Sequence, residues 1–324
     1  SGMTDALFLT SEAVDDLATP ADYVAAVRDG YREVGEGAPA EPRTLLPSGD
    51  PPGMLTTYVA MLPEVGAMGG YTYAAGFAER DAWFLTPLFD AETGEPLAVI
   101  DGASMNPFKT GAAGAVAVDA LARPDASTVA VIGSGPQARG QLRTTATVRD
   151  LTGVRVFSPT PANRESFADE FAERLDADVT AVSSASAALA GADIVITATT
   201  ASEPVIADAD VEPGTHVTAM GQYAADKHEL PPELVARATY VPDLTARATR
   251  DAGSFIAARE AGLVSDDDLE VELGDVVAGS HPGRTSDDEV TVFDSGGTGI
   301  ETVAAAHMLY ERAREAGRGT PLSI

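Results

Sequence analysis

Hydrophobic and polar residues follow one pattern in the first third of the chain and another after it. In "TPADYVAAVRDGYREVGEG" apolar residues recur at helical spacing; Thr19 is placed to cap the helix, Pro20 suits its first position, and Gly35 or Gly37 ends it. Short runs rich in β-branched and aromatic residues predict strands at "MLTTYVAML", "AWFLTPLFD" and "PLAVID". The last two are joined by "AETGE", a hairpin loop containing Gly94, so the pairing expected here is antiparallel. A helix rich in small residues is predicted from Asn106 and Pro107 through "KTGAAGAVAVDALA", stopping before Pro124. Beyond it, short apolar strands at "VAVIG", "VRVFS", "DVTAV", "DIVITAT", "HVTAMG" and "ATYVPD" alternate with mostly helical segments. Continuous apolar strands in that rhythm predict a parallel sheet covered on both faces. A long final helix, "GGTGIETVAAAHMLYERAREAG", is expected to pack back on the first part of the chain.

Composition narrows the chemistry. The 324 residues carry 50 acidic and 21 basic side chains, a net charge of −29, and only two of the bases are lysines, Lys109 and Lys227. Such a surface repels phosphate backbones and anionic lipid, so neither nucleic acid nor membrane is an expected partner. Ordinary hydrophobic content argues against disorder, and an acidic, lysine-poor globular chain fits a salt-rich cytoplasm in which charge is screened. The absence of cysteine removes disulfides, thiolate nucleophiles and thiolate metal sites. The four histidines, His216, His228, His281 and His307, have no metal-ligand spacing, so no metal is expected. Ser1 and Gly2 ahead of Met3 read as an expression scar, no run approaches membrane-spanning length, and a cytoplasmic location is expected.

The strand at "VAVIG" leads into the stretch with the clearest chemistry. "VIGSGPQARGQL" places Gly133, Gly135 and Ala138 in a G-x-G-x-x-A spacing between a strand and a helix, with Ser134, Pro136 and Gln137 in the turn. The first glycine allows the tight turn, the second lets backbone approach a pyrophosphate, and the alanine lets helix and strand lie close. Such turns also arise for purely geometric reasons; the series of strand and helix units that follows favours dinucleotide binding. The second strand ends "VFSPTPANRE", with Ser158, Thr160 and Arg164 and no carboxylate at the tip. Hydroxyls with a guanidinium suit a 2′-phosphate, which favours NADP, with NAD open to the reading that Ser158 bonds a free ribose. Later strand ends place Thr197, Ala198 and Thr199, then Met220 and Gly221 followed by Gln222 and Tyr223, then Ser295 and Gly297, at the carboxyl edge where such sheets bind ligands. Arg43, in "EPRTLL", reads as a short arginine loop, either a salt bridge or a carboxylate clamp. Lys109 reads as an anion partner or a surface ion pair, and the glycines and alanines after it as tight helix packing.

Taken in order, "EPRTLL", "FKTGAAGAVAVDALA", "VIGSGPQARGQL", "ADIVITATTASEPVI", "AMGQYAADKHEL" and the final "VELGDVVAGSHPGRTSDDEVTVFDSGGTGIETVAAA" resemble the ornithine cyclodeaminase and mu-crystallin family, which also holds archaeal alanine dehydrogenases and ketimine reductases. The resemblance implies an α/β fold in which a doubly wound Rossmann domain, 119–297, is inserted into an α+β substrate-binding and dimerisation domain made of 3–118 plus 298–324. It also implies a homodimer, NAD or NADP as cofactor, and a small amino or imino acid as substrate. By that resemblance Arg43 matches the arginine that holds the substrate carboxylate, and Lys109 stands where arginine is usual. Met68 stands in the place of a substrate-holding lysine, and Tyr223 in that of the aspartate used to cyclise ornithine. Lys109 and Tyr223 are the expected catalytic positions. With the carboxylate replaced, oxidation or reduction at a carbon–nitrogen bond is expected ahead of ornithine cyclodeamination, or of a binding protein that has lost catalysis.

Overall fold

In the computed structural model, which describes residues 5–77 and 82–324, the chain forms two compact units. The first comprises residues up to Lys109 together with Thr298–Ile324, and the second runs from Thr110 to Gly297. The first junction falls inside one helix, whose body was the expected end of the first domain.

The first unit contains β1 (Ala6–Leu9), α1 (Ser11–Val14), α2 (Pro20–Gly35), β2 (Ala40–Gly49), β3 (Pro52–Leu62), β4 (Ala67–Ala75), β5 (Ala82–Asp90) and β6 (Pro96–Asp101). The helix α3 (Asn106–Leu121) starts in it and continues into the second unit. Helix α2 begins as its sequence dictates: Thr19 and Asp22 satisfy each other's backbone amides in a capping box. The seven-stranded sheet has the order β14-β1-β6-β5-β4-β3-β2, antiparallel except where β1 meets β6. Two of its longest strands, β2 and β4, were not predicted, and the "EPRTLL" segment taken for a loop is part of β2. Proline and glycine obscure both in the sequence; in the sheet, β4 tolerates glycine because Cβ atoms at Gly69 and Gly70 would run into the Pro87 and Tyr58 carbonyl oxygens, at 2.2 and 1.5 Å.

The second unit contains β7 (Thr128–Ile132), α4 (Pro136–Thr145), β8 (Gly153–Phe157), α5 (Pro161–Arg174), β9 (Asp178–Ala181), α6 (Ala185–Leu189), β10 (Ile194–Thr197), β11 (His216–Ala219), α7 (Pro232–Arg237), β12 (Thr239–Pro242), α8 (Thr245–Asp251), α9 (Gly253–Glu260), α10 (Leu273–Val277) and β13 (Thr291–Asp294). All seven strands are parallel, in the order β12-β13-β11-β10-β7-β8-β9. The direction of winding reverses between β7 and β10, the crevice at which doubly wound sheets bind ligands. Strands β10, β11 and β13 are buried on both faces, which is why they read as unbroken apolar runs. The small residues of α3 are used as packing: Cβ atoms at Gly111 and Gly114 would lie 2.5 Å from the Gly140 carbonyl and 1.9 Å from Gln141 Oε1 on α4.

The chain then returns to the first unit with α11 (Gly299–Glu315) and β14 (Thr320–Leu322). Helix α11 lies so close to β3 that a side chain at Gly299 would meet the Val59 backbone at 2.5 Å, and it meets α2 at Gly30. Among the described residues no helix is long and apolar enough to cross a membrane.

Candidate functional site

In the second unit the carboxyl ends of the strands are stitched into one edge. Gly133 donates to Phe157 O at 2.8 Å, Ala198 to Ile132 O at 2.9 Å, Met220 to Thr197 O at 3.0 Å and Ser295 to Ala219 O at 2.9 Å. Gly133 has φ +119°, and a Cβ there would lie 2.2 Å from the Ala198 carbonyl oxygen, so two independent constraints demand glycine. Gly135 differs: its φ is −85°, and a Cβ would meet nothing within 4 Å. It caps α4 without a side-chain bond, and with Pro136 at the first position the amides of Gln137 and Ala138 point out of the helix end. Arg139 reaches back to the Ser134 carbonyl, lies 3.3 Å from Glu170 and thereby braces the turn from below.

Buried polar atoms at this edge lack partners, and they lie where the sequence placed a cofactor. Ser158 Oγ at the end of β8, Ser295 Oγ after β13 and Gln137 Oε1 in the turn have no hydrogen-bond partner among the described residues. An orphaned buried hydroxyl is costly unless a ligand completes it. Arg164 donates to Ser158 O at 3.0 Å and lies over the Phe157 ring at 5.6 Å, so its guanidinium is fixed beside Ser158. Thr160 caps α5 without using its side chain. The edge therefore fits a dinucleotide: backbone amides for a pyrophosphate, hydroxyls and a guanidinium for a ribose and its 2′ substituent. Gln222 donates to Thr199 O at 3.2 Å, and Tyr223 beside it is 42 % exposed.

Two features of this edge were not read from the sequence. Glu229 binds the ends of β10 and β11 together. Arg247, fully buried, pairs with Asp243 at 2.5 Å and Asp294 at 3.0 Å, while Tyr240 donates to Asp294 at 2.5 Å and Gly296 to Asp243 at 2.9 Å. That network holds the Ser295–Gly297 turn. Away from this edge, His216 opens β11 at the amino ends of the strands, with its ring nitrogens 2.8 Å from Thr291 Oγ1 and 2.9 Å from Thr218 Oγ1. Burial, with Arg284 and Arg149 nearby, holds its pKa down at about 3, so it is a neutral core residue rather than an acid or base.

In the first unit the candidate side chains on the sheet are placed by strand register. Tyr58 on β3 pairs with Tyr71 on β4, and their rings stack at 4.6 Å; Tyr73 stacks on Tyr71 at 5.5 Å. Lys109 Nζ lies 4.1 Å over the Tyr71 ring. Between Glu41 and Thr44 the register slips, so that Pro42 and Arg43 together face Tyr58. This bulge turns Arg43 onto the tyrosine face, where it is buried and its charge reaches Tyr58. Burial pulls the Lys109 ammonium down to about 8, against the opposing charge of Glu301. Glu301 is itself fully buried in the first turn of α11, accepting from Thr298 N and Oγ1 at 2.7 and 2.6 Å and from Tyr31 Oη at 2.9 Å.

Met68 does not join this group. It pairs with Met61 and Phe89, on the opposite face of β4 from Tyr71. Adjacent strand positions point to opposite faces, and the distance from 68 to 71 is an odd number of steps. Tyr71, not Met68, is the β4 residue beside Lys109.

Among known proteins, the model of the ornithine cyclodeaminase/mu-crystallin family matches residues 4–317. The chain belongs to this family. Within the family it is 31 % identical to the alanine dehydrogenase of Archaeoglobus fulgidus, over 99 % of both chains. It is similar to the structure of Thermococcus litoralis Δ1-pyrroline-2-carboxylate reductase in complex with NADH and L-proline, with a TM-score of 0.91 and 30 % identity over 98 % of this chain and 100 % of that one. An archaeal alanine dehydrogenase dimer with bound NAD matches equally well, with a TM-score of 0.91 and 30 % identity over 98 % of this chain and 99 % of the other.

Proposed function

We propose that this family member is an NAD(P)-dependent oxidoreductase that reduces the carbon–nitrogen double bond of a small α-imino acid, or oxidises the corresponding amino acid. The observation that carries the reading is the pair of buried cations, Arg43 and Lys109, on a tyrosine-lined face of a chain that also holds a dinucleotide-binding edge. The bound nicotinamide supplies or accepts the hydride. Arg43, fixed by its bulge, offers a planar fork to the substrate carboxylate. Lys109, with a pKa of about 8, is protonated at neutral pH and holds a proton for the imine nitrogen while adding to the pull on the carboxylate. Tyr223, exposed after β11 on the cofactor-binding unit, is the candidate to relay a proton. Ser158 and Arg164, with no carboxylate at the tip of β8, favour NADP over NAD.

Assembly follows from the other face of the first sheet. Leu46, Leu55, Val59, Met61, Leu85 and Phe89 are exposed there, an apolar patch that a soluble monomer rarely leaves bare. We assign this face to a homodimer contact, consistent with the dimeric alanine dehydrogenase that the chain resembles.

The test is NADPH and NADH oxidation with a panel of cyclic and linear imino acids, in molar KCl because the chain carries a net charge of −29. Turnover of at least one substrate, dependent on Arg43, is the expected result. Cofactor binding without any turnover overturns the enzymatic reading in favour of a binding protein. Ornithine with catalytic NAD is expected to yield neither proline nor ammonia, because Tyr223 offers a proton donor where that sequence of steps uses an acceptor.

A further inference from the structure

Glu229 is 1 % exposed and lies on no regular element, yet its carboxylate accepts four hydrogen bonds. Thr197 Oγ1 donates at 3.0 Å, Thr199 N at 2.8 Å, Thr199 Oγ1 at 2.7 Å and Gly221 N at 2.7 Å. Three of these donors belong to the end of β10 and one to the end of β11. The Glu229 backbone carbonyl also accepts from Val205 N at 2.9 Å, so the residue ties a third segment to the same point. Four donors fill the accepting capacity of one carboxylate.

Burying a carboxylate is expensive, and an apolar side chain of the same volume would fill the space at lower cost. What an apolar side chain lacks is direction. Glu229 fixes where the Thr199 amide, the Gly221 amide and two hydroxyls point, and therefore where the backbone after β10 and β11 runs. Gly221 is held so close that a Cβ there would lie 2.4 Å from Thr199 N and 2.5 Å from Glu229 Oε2. In a doubly wound sheet the strands beyond the switch point serve the second mononucleotide, while β7, β8 and the glycine turn serve the first and the pyrophosphate.

We propose that Glu229 is a positioning residue for the nicotinamide half of the cofactor, setting the Thr199 and Gly221 edge without touching the reaction. The proposal rests on the NAD(P) reading above, and its test separates the two. NADPH and ADP-ribose 2′-phosphate, which lacks the nicotinamide, are titrated against the wild-type chain and against Glu229→Gln. Glutamine keeps the shape, but its N–H2 group faces one backbone N–H, of Thr199 or of Gly221, which loses its acceptor whichever way the amide sits, while the threonine hydroxyl beside it must reverse to accept. The expected result is at least a tenfold loss of NADPH affinity with ADP-ribose 2′-phosphate binding changed by less than twofold. Gly221→Ala, which pushes on the same carboxylate from β11, is expected to show the same selective loss, and Glu229→Asp to recover part of it. If either variant loses both ligands in parallel, or neither, Glu229 is an ordinary structural residue and the proposal fails. A wild-type chain that binds neither of these ligands, nor NADH or ADP-ribose in the same titration, overturns the cofactor reading itself, and this proposal with it.

Discussion

At the end of β7 the candidate cofactor edge is made of backbone: an added Cβ at Gly133 would strike the Ala198 carbonyl, and one at Gly135 would enter open space. The candidate substrate face on β3 and β4 is made of side chains: three tyrosine rings stacked at 4.6 to 6.2 Å, with a lysine over one of them and an arginine turned in by a bulge. The two regions should fail in opposite ways. A backbone-built site is sensitive to atoms added, a side-chain-built site to atoms removed.

The largest effect is expected at the glycine turn. Gly133→Ala combines positive φ with a carbonyl clash, each worth about 1 to 3 kcal/mol, so melting temperature and NADPH affinity should fall together. Gly135→Ala should melt like the wild type and still lose most of its NADPH affinity. A Gly135→Ala chain that binds NADPH normally would move the pyrophosphate elsewhere. On the tyrosine face the reverse is expected: Arg43→Ala should cut kcat/KM by about 2 to 5 kcal/mol of transition-state binding while leaving the dissociation constant for NADPH unchanged. Arg43→Lys should recover little, since the fork geometry is lost.

A smaller effect separates the two cations by pH. A lysine is charged below its pKa, so with Lys109 at about 8 the value of kcat/KM should be level at neutral pH and decline as pH rises through 8. Lys109→Arg should remove that alkaline limb, because guanidinium stays protonated; a limb that survives the change belongs to another group. The smallest effect belongs to the 2′ position. Arg164→Ala should weaken NADPH by about tenfold and NADH by less, since one half-buried charge-assisted contact contributes on the order of 1.5 kcal/mol. Equal losses would remove Arg164 from the 2′ site.

The same division explains what the sequence made legible. The glycine turn, the switch from antiparallel to parallel patterning and the capped start of α2 are local: each depends on residues within about ten positions of one another. Family resemblance added Arg43 and Lys109. The tyrosine stack depends on pairing between β3 and β4, and β4 itself was hidden by its glycines, so Tyr58, Tyr71 and Tyr73 carried no signal. The misplacement of Met68 has the same origin, because an odd number of steps along an unrecognised strand reverses its face. Glu229 and Glu301 escaped for a different reason. In a chain with 50 acidic residues, one more carboxylate stands out only when its burial and its donors are seen.

The chain has a single tryptophan, Trp83, and β5 carries it on the face that holds Leu55 and Leu85, with 60 % of its surface exposed. The molecule thus contains its own optical probe of self-association. Indole emission shifts to longer wavelength as water gains access, so a dilution series should redden the fluorescence along the same curve on which the proposed dimer dissociates, with no label and no mutation.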